Sequence, residues 1–270
     1  EMMDGRVKTL HPRVHGGLLA LRDNDEHLAA MEQHGIAPID LVCVNLYPFE
    51  QTVAADDVAE ADAIEQIDIG GPSMLRSAAK NHRFVTVVTS PSQYDRVVAE
   101  LETHEGSTSY ALRRELAAAA FSRTAAYDTA IARWFATTQP TPLPDALLMR
   151  LERSPVELRY GENPHQAGAL YLDPQWQESS VAKAEQLHGI ALGFCNYFDA
   201  DGALELVKEI DPRTEAAAAV IKHANPCGFA VADDLPTAFR NAYDGDPLAA
   251  FGGIVALNRE VDAATAEAIV

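Results

Sequence analysis

Apolar runs and amphipathic stretches alternate along the chain, and their periods assign most of its elements. Residues 23–34 carry Leu28 and Met31 three apart and end at Gly35, which predicts a helix with a glycine stop. Residues 39–46, rich in Leu and Val, read as a buried strand that ends in Asn45-Leu46-Tyr47-Pro48-Phe49. A helix over 74–80 follows Gly70-Gly71-Pro72, with Pro72 at the first helical position. A β-branched run predicts a strand over 84–89, followed by a helix over 91–101. Residues 109–136 form one long helix, on which Leu112, Leu116, Ala120, Tyr127, Ile131 and Trp134 keep to a broad stripe suited to a core or an interface. The Pro/Thr-rich tract at 137–144 marks the best domain boundary. Beyond it lie an apolar stretch at 147–151, a strand over 168–172, an amphipathic helix over 199–210 and an apolar strand over 216–221. A helix near 235–243, a strand over 253–257 and a helix from Asp262 complete an alternating α/β pattern without repeat or heptad seam.

Composition narrows the function classes. The 270 residues are 47% hydrophobic, enough for one large domain or two real cores. With 21 basic against 40 acidic side chains the formal charge is −19, and no basic run offsets it, so a nucleic-acid partner is not expected. An anionic small ligand would depend on locally placed cations such as Arg6, Lys8, Arg13, Lys80, Arg159 and Lys222. Cys43, Cys195 and Cys227 are too few and too dispersed for a disulfide framework, which points to a reducing, cytoplasmic setting. No stretch reaches the ~20 apolar residues of a membrane span, and no signal peptide is visible. The chain starts at Glu1 and stops at Val270 within an Ala-rich helical pattern, so it reads as a piece of a longer protein.

Candidate chemistry gathers in a few stretches. Arg6 and Lys8 alternate, so an extended segment would point both to one side, where they suit a phosphate or a developing oxyanion. His11 and His15 have the i, i+4 spacing of a helical metal pair, but Pro12 and Gly16-Gly17 argue against a helix and no metal is expected. The helix opening after Gly70-Gly71-Pro72 leaves free N–H groups that can hold an anion. Tyr47 at a strand end fits a ligand edge, although an ordinary rim position, ring packed and hydroxyl wet, is the commoner fate of a tyrosine. The apolar run ending at Ile221 delivers Lys222-His223-Ala224-Asn225-Pro226-Cys227-Gly228, which reads as a strand feeding a cation and an imidazole into a Pro/Gly turn. By itself that heptad fits a turn histidine beside a surface lysine just as well.

The second half, with Arg159-Tyr160-Gly161-Glu162-Asn163-Pro164-His165-Gln166 and then Lys222 to Gly228, resembles the opening of aminoimidazole carboxamide ribonucleotide (AICAR) formyltransferase. The first half resembles the inosine monophosphate (IMP) cyclohydrolase part of the same bifunctional purine-biosynthesis family. It carries Arg6-Val7-Lys8-Thr9-Leu10-His11-Pro12, Asn45-Leu46-Tyr47-Pro48-Phe49, Gln66-Ile67-Asp68-Ile69-Gly70-Gly71 and Ala79-Lys80-Asn81-His82. The resemblance implies a methylglyoxal-synthase-like α/β domain over 1–136, a linker over 137–158 and, over 159–270, the first part of a cytidine-deaminase-like α/β formyltransferase domain. The zinc-holding cysteine pair and Glu of the deaminases are absent around Cys227.

The implied chemistry is formyl transfer from 10-formyltetrahydrofolate, as co-substrate, to the 5-amine of AICAR, then dehydrative ring closure to IMP. His223 would move the proton shed by the attacking amine. Lys222 would stabilise charge or orient the carboxamide. Arg159 and Tyr160 would position the nucleotide, with Asn196 and the backbone at Gly252 as lesser contacts. For ring closure, Lys8 and Lys80 would stabilise the oxyanion and Tyr47 and Asp68 handle protons, with Arg6, Thr9, Asn45 and Gly70 binding substrate. The resemblance also implies a homodimer with formyltransferase sites shared between subunits. It further implies a phosphate loop ahead of Glu1 and folate groups beyond Val270, so this piece alone is expected to be nearly silent. A non-catalytic purine-nucleotide-binding module and an acidic scaffold are the competing readings.

Overall fold

The computed structural model describes residues 2–3, 6–55, 57–137, 146–174 and 176–270. Two compact units divide between Met149 and Arg150. Of the linker expected over 137–158, residues 138–145 lie outside the described residues. Residues 146–151 have no regular structure and leave Leu147, Leu148, Met149 and Leu151 exposed.

The first unit runs α1 (Pro12–Leu19), α2 (Asp25–His34), β1 (Leu41–Cys43), α3 (Phe49–Val53), α4 (Glu60–Glu65), α5 (Gly70–Lys80), β2 (Thr86–Val88), a 3-10 turn (Pro91–Gln93), α6 (Tyr94–Thr103) and α7 (Tyr110–Thr137). β1 and β2 pair in parallel, Val42 opposite Val87. Leu75, Ala78 and Ala79 of α5 pack with Leu112, Leu116, Ala117 and Ala120 of α7 around Val85 and Val87. The expected stripe on the long helix is therefore core, and Trp134 continues it through an edge contact with the buried ring of Phe49.

Three expectations change here. Pro12 and Gly16-Gly17 lie inside a helix, not a loop. Pro12 sits in the first turn, where its missing N–H costs nothing, and His11 caps the end by accepting the Arg13 N–H on Nδ1 at 3.1 Å. The glycines are accommodated because a β-carbon on Gly17 would lie 2.5 Å from the Ala37 carbonyl oxygen and one on Gly16 2.9 Å from Ile36 Cδ1. Arg6 and Lys8 are not on a strand: Met2 bridges Val7, Arg6 lies in the turn between them, and Lys8 lies in a bend. Finally, α5 starts at Gly70, four residues before the expected onset, so Pro72 is its third residue; that position still has no intrahelical N–H partner to lose.

The second unit runs β3 (Glu152–Glu157), β4 (Ala169–Leu172), α8 (Phe194–Lys208), β5 (Ala216–Lys222), β6 (Asn225–Ala232), α9 (Leu235–Tyr243), α10 (Pro247–Ala250), β7 (Ile254–Leu257) and α11 (Ala263–Ile269). β3 and β4 form an antiparallel pair, and β5 is the centre of a three-stranded sheet in the order β6-β5-β7, antiparallel on both sides. Alanine is a poor strand former, yet Ala216 to Ala219 are strand and fully buried. Alternation explains it. Ala216, Ala218 and Val220 face Leu235, Ala238, Phe239 and Ala242, while Ala217 and Ala219 meet Val207 of α8. Small side chains on both faces let two helices close on one strand.

Candidate functional site

In the first unit a cleft of about 700 Å³ is lined by Arg6, Lys8, Thr9, Asn45, Tyr47, Asp68, Gly70 and Gly71. Separated stretches of chain thus converge on one concavity. Asp68 organises its floor: Oδ1 accepts the Gly71 N–H at 2.7 Å, and Oδ2 faces the Tyr47 N–H at 3.4 Å. A carboxylate at a helix start complements the helix dipole, so Asp68 caps α5 while keeping an edge toward the cleft. Both glycines leave room for neighbouring side chains of the cleft. A β-carbon on Gly70 would collide with Thr9 Oγ1, and one on Gly71 with Asp68 Oδ2 and Leu46 Cδ2. The Tyr47 ring is about half exposed, whereas Arg6 is held by Glu65 at 2.7 Å and Asn45 Nδ2 donates to the Tyr94 hydroxyl at 3.3 Å.

The residue that sequence reasoning missed here is Tyr127. It counted only as a member of the α7 stripe, yet its hydroxyl accepts the Asp68 N–H at 2.9 Å and donates to the Gln66 carbonyl at 2.7 Å. Burial is the main cause that raises its phenol above the ordinary tyrosine range, so it remains a donor throughout the neutral region.

Lys80 does not join this cleft. It closes the opposite end of α5, about 15 Å along the axis from Gly70 at 1.5 Å per residue. There it lines a separate hollow of about 610 Å³ with Arg76, His82, Arg114 and Phe121, Arg76 lying over the Phe121 ring at 5.4 Å. Lys8 and Lys80 therefore line different hollows of this chain.

In the second unit the Pro/Gly turn expected after Lys222 is a different object. β5 and β6 form a hairpin with Lys222 opposite Asn225, so the turn residues are His223 and Ala224, and Asn225 to Gly228 belong to a strand. Both turn residues are left-handed, at φ +52° and +59°, as a two-residue turn matched to the strand twist requires. The pair is therefore presented at a hairpin tip and not at a strand end of a parallel sheet. Lys222 Nζ donates to the Phe251 carbonyl at 2.7 Å, beside Gly252 at φ +73°. Cys227 is the extra residue of a bulge, Val220 pairing with Gly228 and Ile221 with Pro226. Gly228 is a packing residue, since a β-carbon there would fall on the Ala242 carbonyl of α9.

α8 links this tip to the upstream motif. Its N-terminus is capped by Asn196, whose Oδ1 accepts the Gly193 N–H at 3.0 Å, and the Tyr160 ring packs so close to Gly193 that a β-carbon there would lie 2.9 Å from it. Arg159 stacks on Tyr160 at 4.7 Å and donates to its hydroxyl at 2.8 Å. One turn further on, Asp199 accepts the backbone N–H groups of His223 at 3.3 Å and of Ala224 at 2.6 Å. The Arg159 motif and the Lys222 motif thus engage the same end of one helix. Asp199 entered the sequence reading only as the start of a helix; no local pattern marks its bond to a turn 24 residues later.

Among the described residues no group of three or more His, Cys, Asp or Glu side chains could hold a metal ion. His11 caps α1, and His15 Nδ1 lies 3.0 Å from Ser77 Oγ. All three cysteines are free, and no helix among the described residues is long and apolar enough to cross a membrane.

Comparison with known proteins gives two family matches. Residues 1–73 match the MGS-like domain and residues 78–270 the AICARFT/IMPCHase bienzyme, both edges falling inside α5. The chain is 57% identical over 270 residues to the bifunctional purine biosynthesis protein PurH of Roseobacter denitrificans, covering 100% of this chain and 50% of that protein. It is 54% identical over 267 residues to the protein of the same name from Bacillus cereus, covering 99% and 51%. The chain spans about half the length of these curated relatives. A solved structure titled "Crystal structure of ForH" is 40% identical over 50% of this chain and 69% of its own, with a TM-score of 0.42.

Proposed function

Since the chain belongs to the AICARFT/IMPCHase bienzyme family, we propose that the protein of which it forms part carries out the last two steps of purine biosynthesis. These are formyl transfer from 10-formyltetrahydrofolate to AICAR and dehydrative closure of the formylated product to IMP. The observation that supports this most is the cleft in the first unit, where cations, a phenol, a carboxylate and a helix N-terminus meet. Those groups suit a phosphorylated substrate whose reaction passes through an oxyanion.

In ring closure the carboxamide nitrogen attacks the formyl carbon of the same molecule, and water is then lost. Holding the two ends together supplies much of the rate. Lys8 is the cation assigned to the oxyanion, while Tyr47 and Asp68 exchange protons with the attacking nitrogen and the departing oxygen. Asp68 suits that task because its bonds to Gly71 and Tyr47 hold it in one orientation. Arg6, Thr9, Asn45 and Gly70 are assigned to substrate binding. Lys80 stands outside this set.

In formyl transfer the amine of AICAR attacks the formyl carbon, a tetrahedral oxyanion forms, and the amine sheds a proton. Collapse of the intermediate then breaks the bond from the formyl carbon to N10, so that tetrahydrofolate leaves with a proton on that nitrogen. His223 at the hairpin tip is assigned to the proton shed by the amine, and Lys222 to the developing charge. Arg159 and Tyr160 are assigned to the nucleotide, with Asn196 and the backbone at Gly252 as lesser contacts. A cytoplasmic homodimer, with purine nucleotides and folate as its small-molecule partners, completes the proposal; free cysteines support the compartment. The test is an assay of both half-reactions on the full-length protein. Product from both supports the reading. Nucleotide binding without either reaction would replace it with a binding module.

A further inference from the structure

We propose that Asp199 is a positioning residue for formyl transfer, clamping the His223-Ala224 turn so that imidazole and ammonium keep one orientation. The inference rests on the reading of His223 as the proton-moving group.

The turn is made from residues that resist its conformation. Two-residue hairpin turns of this hand favour glycine or asparagine, because a β-carbon crowds the backbone in the left-handed region. His223 and Ala224 nonetheless hold φ +52° and +59°. Their N–H groups face away from the ladder, which resumes only at Asn225 opposite Lys222. Asp199 supplies the missing acceptors, one oxygen to each: Oδ2 to His223 and Oδ1 to Ala224. On the other side Asn225 Nδ2 donates to the His223 carbonyl at 2.8 Å. The turn is tied from both flanks.

Asp199 is itself fixed. It is half-buried on α8, whose Val207 packs on Ala217 and Ala219 of β5. Asn196, one helical turn earlier, caps the α8 end against which Tyr160 lies. A single rigid helix therefore sets the position of the reacting pair and of the nucleotide-binding pair relative to each other. Without the carboxylate the tip would exchange among conformers, and His223 would spend less time in the productive one.

The experiment uses the full-length protein with Asp199→Ala, Asp199→Asn and the double variant Asp199→Ala/Ala224→Gly. Formyl-transfer kcat and KM for AICAR are read beside hydrogen exchange at the Ala224 amide. For Asp199→Ala we expect kcat to fall about tenfold to a hundredfold, the scale of a misplaced reacting group, with KM little changed. Ala224→Gly in that background should recover most of the loss, because glycine adopts the turn without the clamp. A general loss of folding would not be relieved in that way, and Asp199→Asn, which keeps one acceptor oxygen, should fall between. An unchanged kcat in Asp199→Ala, or a loss that glycine does not relieve, would overturn the proposal. If the unmodified protein transfers no formyl group, the functional reading fails and the exchange result decides the clamp. Faster exchange in Asp199→Ala supports the clamp, and unchanged exchange removes it.

Discussion

The Tyr127 hydroxyl bonds the backbone of Asp68 across 59 residues of sequence, accepting its N–H at 2.9 Å and donating its own O–H to the Gln66 carbonyl at 2.7 Å. The ring is wholly buried, in edge contact with Phe49, and Arg123 lies over it at 5.4 Å. One phenol of α7 thus holds the segment that carries Asp68 to the cleft floor. Tyr127→Phe keeps the ring but removes two hydrogen bonds to half-buried backbone groups, which costs about 1 kcal/mol. We expect a lower urea midpoint with an unchanged denaturant slope, together with slower ring closure.

The same phenol makes alkaline stability testable. Its folded value lies above the unfolded one because of burial, so its stabilisation is complete below about pH 10 and is lost as pH rises through the folded value. Thermal midpoints should fall in that window for the natural protein, and the fall should be smaller in Tyr127→Phe.

Acid has the opposite sign. The Ser109 N–H holds the Glu100 carboxyl below its usual range, as the Thr237 N–H does for Asp234 at the start of α9. Such groups stabilise the fold above the unfolded carboxylate range near pH 4, and the contribution is lost as pH falls through their depressed values. Asp234→Asn keeps a capping oxygen without the titration, so its midpoint should depend less on pH below about 4.

Two glycines should respond in opposite directions. Gly202 lies inside α8, and a β-carbon added there would meet nothing within 4 Å, so Gly202→Ala should stabilise by about 0.5–1 kcal/mol. Gly228→Ala would force the Ala242 carbonyl off β6 and should lower the thermal midpoint. Circular dichroism melts on both variants check the pair.

The two proposed reactions should separate by mutation. His223→Ala should slow formyl transfer by roughly 10²–10⁴-fold, the range of general acid–base groups, with ring closure nearly unchanged. Lys8→Ala should do the reverse. Equal losses in both assays from either variant would remove the two-site assignment.

By itself the amino-acid sequence determined the elements whose cause is local. The α7 stripe, the β5 run and α9 could be read from periodicity, because burial of one face or of both imposes its own spacing. The motif words likewise marked the cleft residues and the Lys222-His223 pair before any geometry was known. Tertiary structure alone decided that Pro12 and Gly16-Gly17 stand in a helix, because the space their neighbours need is set by residues 36–39. It also decided that His223 and Ala224 form the turn, that Lys80 lies away from the cleft, and that Tyr127 and Asp199 hold the backbone at Asp68 and at the hairpin tip. These outcomes depend on hydrogen bonds and packing between residues far apart in the chain, and a pattern confined to one stretch carries no record of what will be folded against it.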